Sequence, residues 1–421
     1  MRRRRTRRRS GDYFIGMVDS YSRRPGYSKR RRRSKKQQTQ LYIRRGIIVA
    51  VCLLIIVAIV WIMASIIGGI SSCVSNCSSD KEPAEETTTK TTQPATNTPP
   101  VTEEGIALKK PYIDDNGADG ELITSTLYLW NKAAYNLFGY SESAVNYYAQ
   151  TVNSFADTLE DVTVYNMVVP NHTEFGLPQR LIDGGVSSMS QADNLTAIMN
   201  ATGDNVIDVN CYTNLAEHNT DYIYFNTDHH WTGLGAYYGY TAFCKEAGLA
   251  PMDIEGLEKN TIAGFVGSFH DICNSNAAYG AAETLASNAD VVEYYTLPNY
   301  TYATMKEDMT SEPQIVDVYY PASPGSLTYG TFCWGDVAEF VISSDAGTGK
   351  KIALIKDSYG NALAPYLTAN YDEIHILDFR YWSGDLKSYL TDNGIEELLI
   401  LNNVMSANTA LNTDQLAALL G

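Results

Sequence analysis

Several things are scarce in this 421-residue sequence. There are seven cysteines and no Cys-x-x-Cys pair, so no zinc-ribbon spacing is present. No phosphate-loop or dinucleotide fingerprint occurs, which leaves no motif for a nucleotide cofactor, and no cofactor of any kind is expected. No internal repeat is evident. The run Asp114-Asp-Asn-Gly-Ala-Asp-Gly120 starts like a calcium loop, but counted from Asp115 its twelfth position is Thr126, which excludes an EF-hand. Basic residues are scarce everywhere except at one end. Residues 1–45 hold 18 Lys and Arg against Asp12 and Asp19, whereas the remainder holds 14 against 46 acids. The net charge of −16 therefore hides a tail of +16 on a body of −32.

Residues 46–70 carry no charge at all. A run of about 20 apolar residues spans a bilayer, and this one is longer than the ~7–15 residues of a cleaved signal core. Ile70-Ser-Ser-Cys73 loosely fits a lipoprotein signal, and the long basic leader argues against it. The basic residues before the run predict a cytoplasmic N-terminus and an extracytoplasmic body. Basic clusters beside a membrane span are read as lipid contacts and topology signals rather than as a nucleic-acid site, and no nucleic-acid partner is expected. Residues 71–106 hold eight threonines between Thr87 and Thr102, together with Pro94, Pro99 and Pro100, and read as an extended stalk. The domain reading is thus a disordered basic tail over 1–45, a transmembrane helix over 46–70, a stalk over 71–106 and a folded domain over 107–421. One or two disulfides would suit an exported body, and the sequence does not pair them.

The body alternates apolar runs with helix-like segments. Strands are expected at 162–169, 205–209, 222–226, 351–355, 373–378 and 397–401. Helices are expected at 125–138, 143–159, 190–200, 232–247, 361–370 and 383–392. Between 263 and 344 the chain reads as irregular, with short strand-like runs at 316–320 and 337–343. Such alternation predicts an α/β fold: a parallel sheet flanked by helices. In sheets of that kind, sites gather at the carboxyl ends of strands. Three polar clusters fall there: Asn171, Asp228-His-His230 and Asp357-Ser358.

Ser358 follows the apolar run Ile352-Ala-Leu-Ile355 at a polar turn that opens a helix-like run. A serine there suits a nucleophile but needs a base, and Asn226-Thr-Asp-His-His-Trp-Thr232 offers one. In an extended segment Asp228 and His230 project to one side, so Asp228 could orient His230 toward Ser358 while His229 points away. By pattern alone, Asp228 capping the following helix is an equal alternative. A metal site would need a third ligand that the segment does not clearly provide. The Ser358 N–H is the evident oxyanion donor. Asn361 and Asn171 are candidates for a second, with a helix cap and a turn as their structural alternatives. Tyr237-Tyr-Gly-Tyr240 has the spacing of a packed helix face. Trp231 could either wall the site or fill the core.

Thr227-Asp-His-His-Trp-Thr232, Lys356-Asp-Ser-Tyr-Gly-Asn-Ala-Leu-Ala-Pro365 and Ile376-Leu-Asp-Phe-Arg-Tyr-Trp382 resemble, in order, the blocks of the DHHW family. Val168-Val-Pro-Asn-His-Thr173 and Leu177-Pro-Gln-Arg-Leu181 fit as well. The resemblance covers roughly 121–401. That family is similar to the SGNH-like alginate O-acetyltransferases, whose Asp-x-His-Trp motif precedes their serine block. The resemblance implies an SGNH-hydrolase-like fold with Ser358 as nucleophile, His230 as base and Asp228 as its partner. It also implies an arginine near the substrate at Arg380, whose structural alternative is an ion pair with Asp378. Lys356-Asp-Ser358 departs from the Gly-Asp-Ser pattern. The implied function is a membrane-anchored esterase or O-acyltransferase acting on an extracytoplasmic cell-envelope polysaccharide. A membrane acyl-donor protein would be its partner. The alternative is a glycan-binding or envelope-assembly protein using the same cleft without turnover.

Overall fold

A computed structural model describes residues 108–421. The tail, membrane-span and stalk readings over 1–106 lie outside those residues. Among the described residues no helix is long and apolar enough to cross a membrane.

Among the described residues thirteen strands follow in order: β1 (Glu121–Thr124), β2 (Leu127–Trp130), β3 (Ala133–Asn136), β4 (Thr163–Val169), β5 (Val206–Asp208), β6 (Lys259–Phe265), β7 (Asp290–Tyr295), β8 (Tyr300–Lys306), β9 (Gln314–Val316), β10 (Glu339–Ser344), β11 (Lys351–Lys356), β12 (Glu373–Asp378) and β13 (Glu397–Asn403). Eight form the central sheet in the order β5-β4-β13-β11-β12-β10-β8-β9. The first five run parallel, and β10, β8 and β9 extend the sheet antiparallel. The fold is mixed α/β. Along β4, β11 and β12 burial is nearly continuous rather than alternating. Continuous burial means that both faces of these strands are covered, which is why they read as unbroken apolar runs. β11 lies in the middle, with β12 following it on one side and β13 returning on the other. Their carboxyl ends, with that of β4, share one edge of the sheet.

Three of the longer helices are capped by residues suited to the task. Ser141 caps Glu142–Thr158, Ser190 caps Gln191–Ala201 and Thr232 caps Gly233–Glu246, each accepting a backbone N–H of the first turn. The cap of the last helix is therefore Thr232 and not Asp228.

Several expectations need correction. The segment 125–138 is not a helix but the β2–β3 hairpin. Asn131 and Lys132 both adopt left-handed backbone, φ 49° and 65°, as a tight hairpin turn demands. Residues 222–226 form no strand. They make a single bridge, Tyr224 to Trp231, in an otherwise turning loop. Only Gly360–Leu363 is α-helical in 361–370, followed by a 3-10 turn at Ala364–Ala369 that contains Pro365. The last expected helix starts later, at Leu386, capped by Asp385. The segment read as irregular holds two short helices, Ser268–Ser275 and Tyr279–Ala286, and strands β7 to β10. Cys211, Cys244, Cys273 and Cys333 are all buried free thiols, so no disulfide joins the described residues.

Candidate active site

β11 delivers Ser358 to the carboxyl edge. The turn after it is tight: a Cβ on Gly360 would lie 2.5 Å from the Lys356 Cβ, so glycine is required there by close approach. Asp357 does not face the site. Its carboxylate accepts the Tyr359 N–H at 2.9 Å and both the N–H and the side-chain amide of Asn403 at 2.8 and 2.6 Å, which ties the serine turn to the end of β13. The Asp357 N–H is held by the Leu401 carbonyl at 3.3 Å.

Ser358 Oγ lies 2.7 Å from His230 Nε2, and His230 Nδ1 lies 2.5 Å from Asp228 Oδ1. All three side chains are buried, Ser358 with only 8% exposure. The spacing of Asp228 and His230 works through a tight turn rather than an extended segment, because Asp228 Oδ1 also accepts the His230 N–H at 3.1 Å. Asp228 Oδ2 accepts the Ser268 N–H at 2.8 Å. A Cβ on Gly267 would fall 2.4 Å from this carboxylate, so the start of the Ser268–Ser275 helix approaches it as closely as backbone can. Burial opposes charge on Asp228. The neighbouring His229 and His230 and these N–H donors outweigh burial and hold its pKa far below the usual carboxylate range.

His229 does not point away. Its ring lies 3.8 Å from that of His230, and Nδ1 pairs with Ser268 Oγ at 2.8 Å. Ligand atoms of Asp228, His229 and His230 come within 4.8 Å of one another, and hydrogen bonds engage Asp228 Oδ1, His229 Nδ1 and both His230 nitrogens. Trp231 is fully buried: it fills the core behind the site and donates its indole N–H to the Tyr359 carbonyl at 3.0 Å.

Sequence reasoning missed four residues. Asp290, on β7, accepts the Asn226 and Thr227 N–H groups at 2.9 and 2.8 Å and the Thr227 hydroxyl at 2.6 Å, anchoring the loop that carries His230. Ser268 has been described. Tyr329 stacks flat on His230, centroids 3.7 Å apart and planes at 9°, and donates its hydroxyl to the Ser358 carbonyl at 3.0 Å. Asp336 follows Cys333, Trp334 and Gly335, three consecutive residues with positive φ. None has a spacing that ties it to the motif, and only the glycine before Ser268 was a local hint.

The remaining candidates have structural partners. Arg380 forks onto Asp378 at 2.8 and 2.6 Å and reaches Asp336 at 2.9 Å. Lys356 Nζ meets Asp378 at 2.7 Å from a fully buried position, which accounts for lysine in place of the usual glycine. Burial opposes the charge of Asp378, but Lys356 and Arg380 outweigh it and keep its pKa low. The ion-pair alternative for Arg380 is thus observed. Asn361 is buried, donates to Asp336 at 3.2 Å and leaves its Oδ1 without a partner. It is not an N-cap. Asn171 caps the His172–Gly176 helix by accepting the Thr173 N–H at 3.0 Å, and its amide donates to the Asn136 carbonyl at 3.0 Å.

A cavity of about 110 Å³ opens beside His229, between the ends of β4 and β13. His172 lines it. Burial pushes the His172 imidazole down to about 4, so the folded protein holds the ring neutral. The unfolded chain would protonate it below about 6.5. The unfolded state then binds the extra proton, and stability falls as pH drops from about 6.5 toward 4. Denaturant unfolding should show up to about 2 kcal/mol less stability at pH 5 than at pH 7 from this residue. His172→Phe should flatten that dependence, and an unchanged slope would refute the assignment.

Fold and site together are those of an α/β protein with a serine, an imidazole and a carboxylate in one hydrogen-bonded line at the carboxyl edge of its sheet. The sequence profile described as DHHW protein matches residues 111–377, and the chain belongs to the DHHW family. A DHHW family protein from Eubacterium siraeum is similar in structure, with 29% identity and a TM-score of 0.63, covering 71% of this chain and 97% of that one. PatB1 of Bacillus cereus shares the fold at 20% identity and a TM-score of 0.55, covering 70% of this chain and 99% of that one. The same protein solved with a sulfonyl adduct gives 19% identity and the same TM-score, covering 68% of this chain and 98% of that one. No curated protein matches.

Proposed function

We propose that this protein transfers acyl groups through Ser358, as an esterase or O-acyltransferase acting on a cell-envelope polysaccharide. The observation that carries the reading is the line from Asp228 through His230 to Ser358, with both links at hydrogen-bonding distance. His230 Nε2 takes the Ser358 proton as Oγ attacks the acyl carbonyl of a donor ester. The tetrahedral intermediate collapses, the bond to the leaving group breaks, and His230 returns the proton to that group. Water or a sugar hydroxyl then attacks the acyl-serine carbonyl and yields its proton to His230; the acyl–Oγ bond breaks as His230 passes that proton to Ser358, which is regenerated. Asp228 holds the ring and stabilises the imidazolium. The Tyr359 N–H is taken by Asp357, so in this reading the Ser358 N–H is the oxyanion donor, supported by Asn361. Arg380, neutralised by Asp378 and Asp336, orders the β12 side of the site.

In the same proposal residues 46–70 anchor the chain, residues 71–106 lift the body off the membrane, and the body works outside it. A membrane acyl-donor protein supplies the acyl group. The near-burial of Ser358 favours a second reading, glycan binding without turnover.

Incubation of the full-length protein with an acetyl-ester reporter and a serine-reactive phosphonate separates the two. Acetate release and labelling are expected, both lost in Ser358→Ala, with release falling at least about 10³-fold. Folded protein that is neither labelled nor active with any acyl donor would overturn the catalytic reading.

A further inference from the structure

The cavity beside His229 is built from uncharged groups. Asn136, His172 and His229 line it, and Phe269 and Met405 are apolar members of its wall. Three polar groups have capacity to spare. The Asn136 side-chain amide and His229 Nε2 have no partner among the described residues, since Asn136 is engaged through its carbonyl and His229 through Nδ1. His172 also lines the cavity, and its Nδ1, which exposes almost no surface, has no hydrogen-bond partner. A buried polar atom without a partner is costly and marks a place where a ligand or water completes the bonding.

The cavity is large enough for more than one water. Its wall carries neither a carboxylate nor an ammonium or guanidinium group. His172 stays neutral because burial lowers its pKa, and His229 is likewise lowered, by burial first and by His230 next. A few convergent polar groups on an apolar wall are the usual make-up of a small-ligand site. Its position also fits. His229 lies against the ring of His230, and Tyr359, which follows Ser358, also lines the cavity.

We propose that this cavity is the acceptor subsite and takes a neutral, hydroxyl-bearing sugar, with its hydroxyls on Asn136 and His229 and its C–H face on Phe269 and Met405. The proposal rests on the acyl-transfer reading and narrows its acceptor. A uronate or phosphate-bearing polymer would bring its anions to a wall without a cation. It would also meet a body whose charge, from residue 46 onward, is −32. A net charge of that size repels a polyanion at low ionic strength.

The test uses the full-length Ser358→Ala protein in detergent, so that binding is read without turnover. Calorimetric titration compares neutral chito-, cello- and xylo-oligosaccharides with an oligouronate of equal length. At least one neutral series should bind about tenfold more tightly than the uronate at low salt. Asn136→Ala and Met405→Ala, both at partly exposed positions, should each weaken that binding without changing the melting temperature. Equal or tighter uronate binding, or binding indifferent to both variants, would overturn the proposal. Phosphonate labelling of wild-type Ser358 distinguishes the two failures. Labelling without neutral-sugar binding removes the subsite and leaves the chemistry. Neutral-sugar binding without labelling leaves the subsite and removes the chemistry.

Discussion

Asp228→Asn should lower turnover of the acetyl-ester reporter by about 10³- to 10⁴-fold while the protein still folds. The carboxylate accepts from three directions: the His230 ring at Nδ1, the His230 N–H, and the Ser268 N–H. An asparagine can reproduce only part of this. If its NH₂ faces Ser268, two donors oppose each other where Gly267 leaves no room to move. If it faces His230, the ring must accept at Nδ1. The proton then sits on Nε2, pointing at Ser358, and the base can no longer take the serine proton. Either arrangement sets the new NH₂ against a backbone N–H, of Ser268 or of His230. Stability should therefore also fall, by about 1–3 kcal/mol, the cost of an unsatisfied buried donor, and phosphonate labelling of Ser358 should slow in step with turnover. A variant that keeps a tenth of the wild-type rate would remove Asp228 from the mechanism.

The parts of this site that were legible in the sequence are those written in consecutive residues. The apolar run into Asp357-Ser358 is a strand buried on both faces, and continuous apolarity is how such a strand reads. Asp228 and His230 sit two residues apart, and a turn brings them together as readily as a strand would. For that reason the pairing was legible although its geometry was not. What the sequence concealed is long-range. Asp290 lies more than sixty residues from the loop that it anchors, and Tyr329 lies 29 residues before Ser358. Neither has a periodicity that links it to the motif. The β2–β3 hairpin was hidden for a local reason: Asn131-Lys132 takes the left-handed turn without the glycine that usually announces one. Arg380 shows a limit of another kind. The resemblance implied a place near the substrate and the sequence offered Asp378, two residues away, as a partner, but the contact with Asp336 depends on a side chain that only folding brings near.

The last residue of the motif should matter for stability as much as Asp228 does for rate. Trp231→Ala is expected to cost about 3–5 kcal/mol, the usual loss for removing a large buried ring. The indole is fully buried against the Gly233–Glu246 helix. That helix is notched to receive it: a Cβ on Gly239 would lie 2.7 Å from the ring and one on Gly235 3.2 Å from the Trp231 Cβ. The two glycines, four apart, face the same side of the helix; Gly239 makes room for the ring, and Gly235 for the Ile223 carbonyl and the Trp231 Cβ. The indole N–H also holds the Tyr359 carbonyl, next to the nucleophile. Removing the ring therefore leaves both a cavity and an unsatisfied carbonyl within one residue of Ser358. Trp231→Phe separates the two effects. It refills much of the volume but not the hydrogen bond, so it should recover most of the stability lost in the alanine variant while Ser358 labelling stays slow. The denaturant midpoint and the labelling rate of both variants check this. Loss of less than about 1 kcal/mol in Trp231→Ala, a typical change for an unremarkable position, would show that the tryptophan is not part of the core that holds the serine turn.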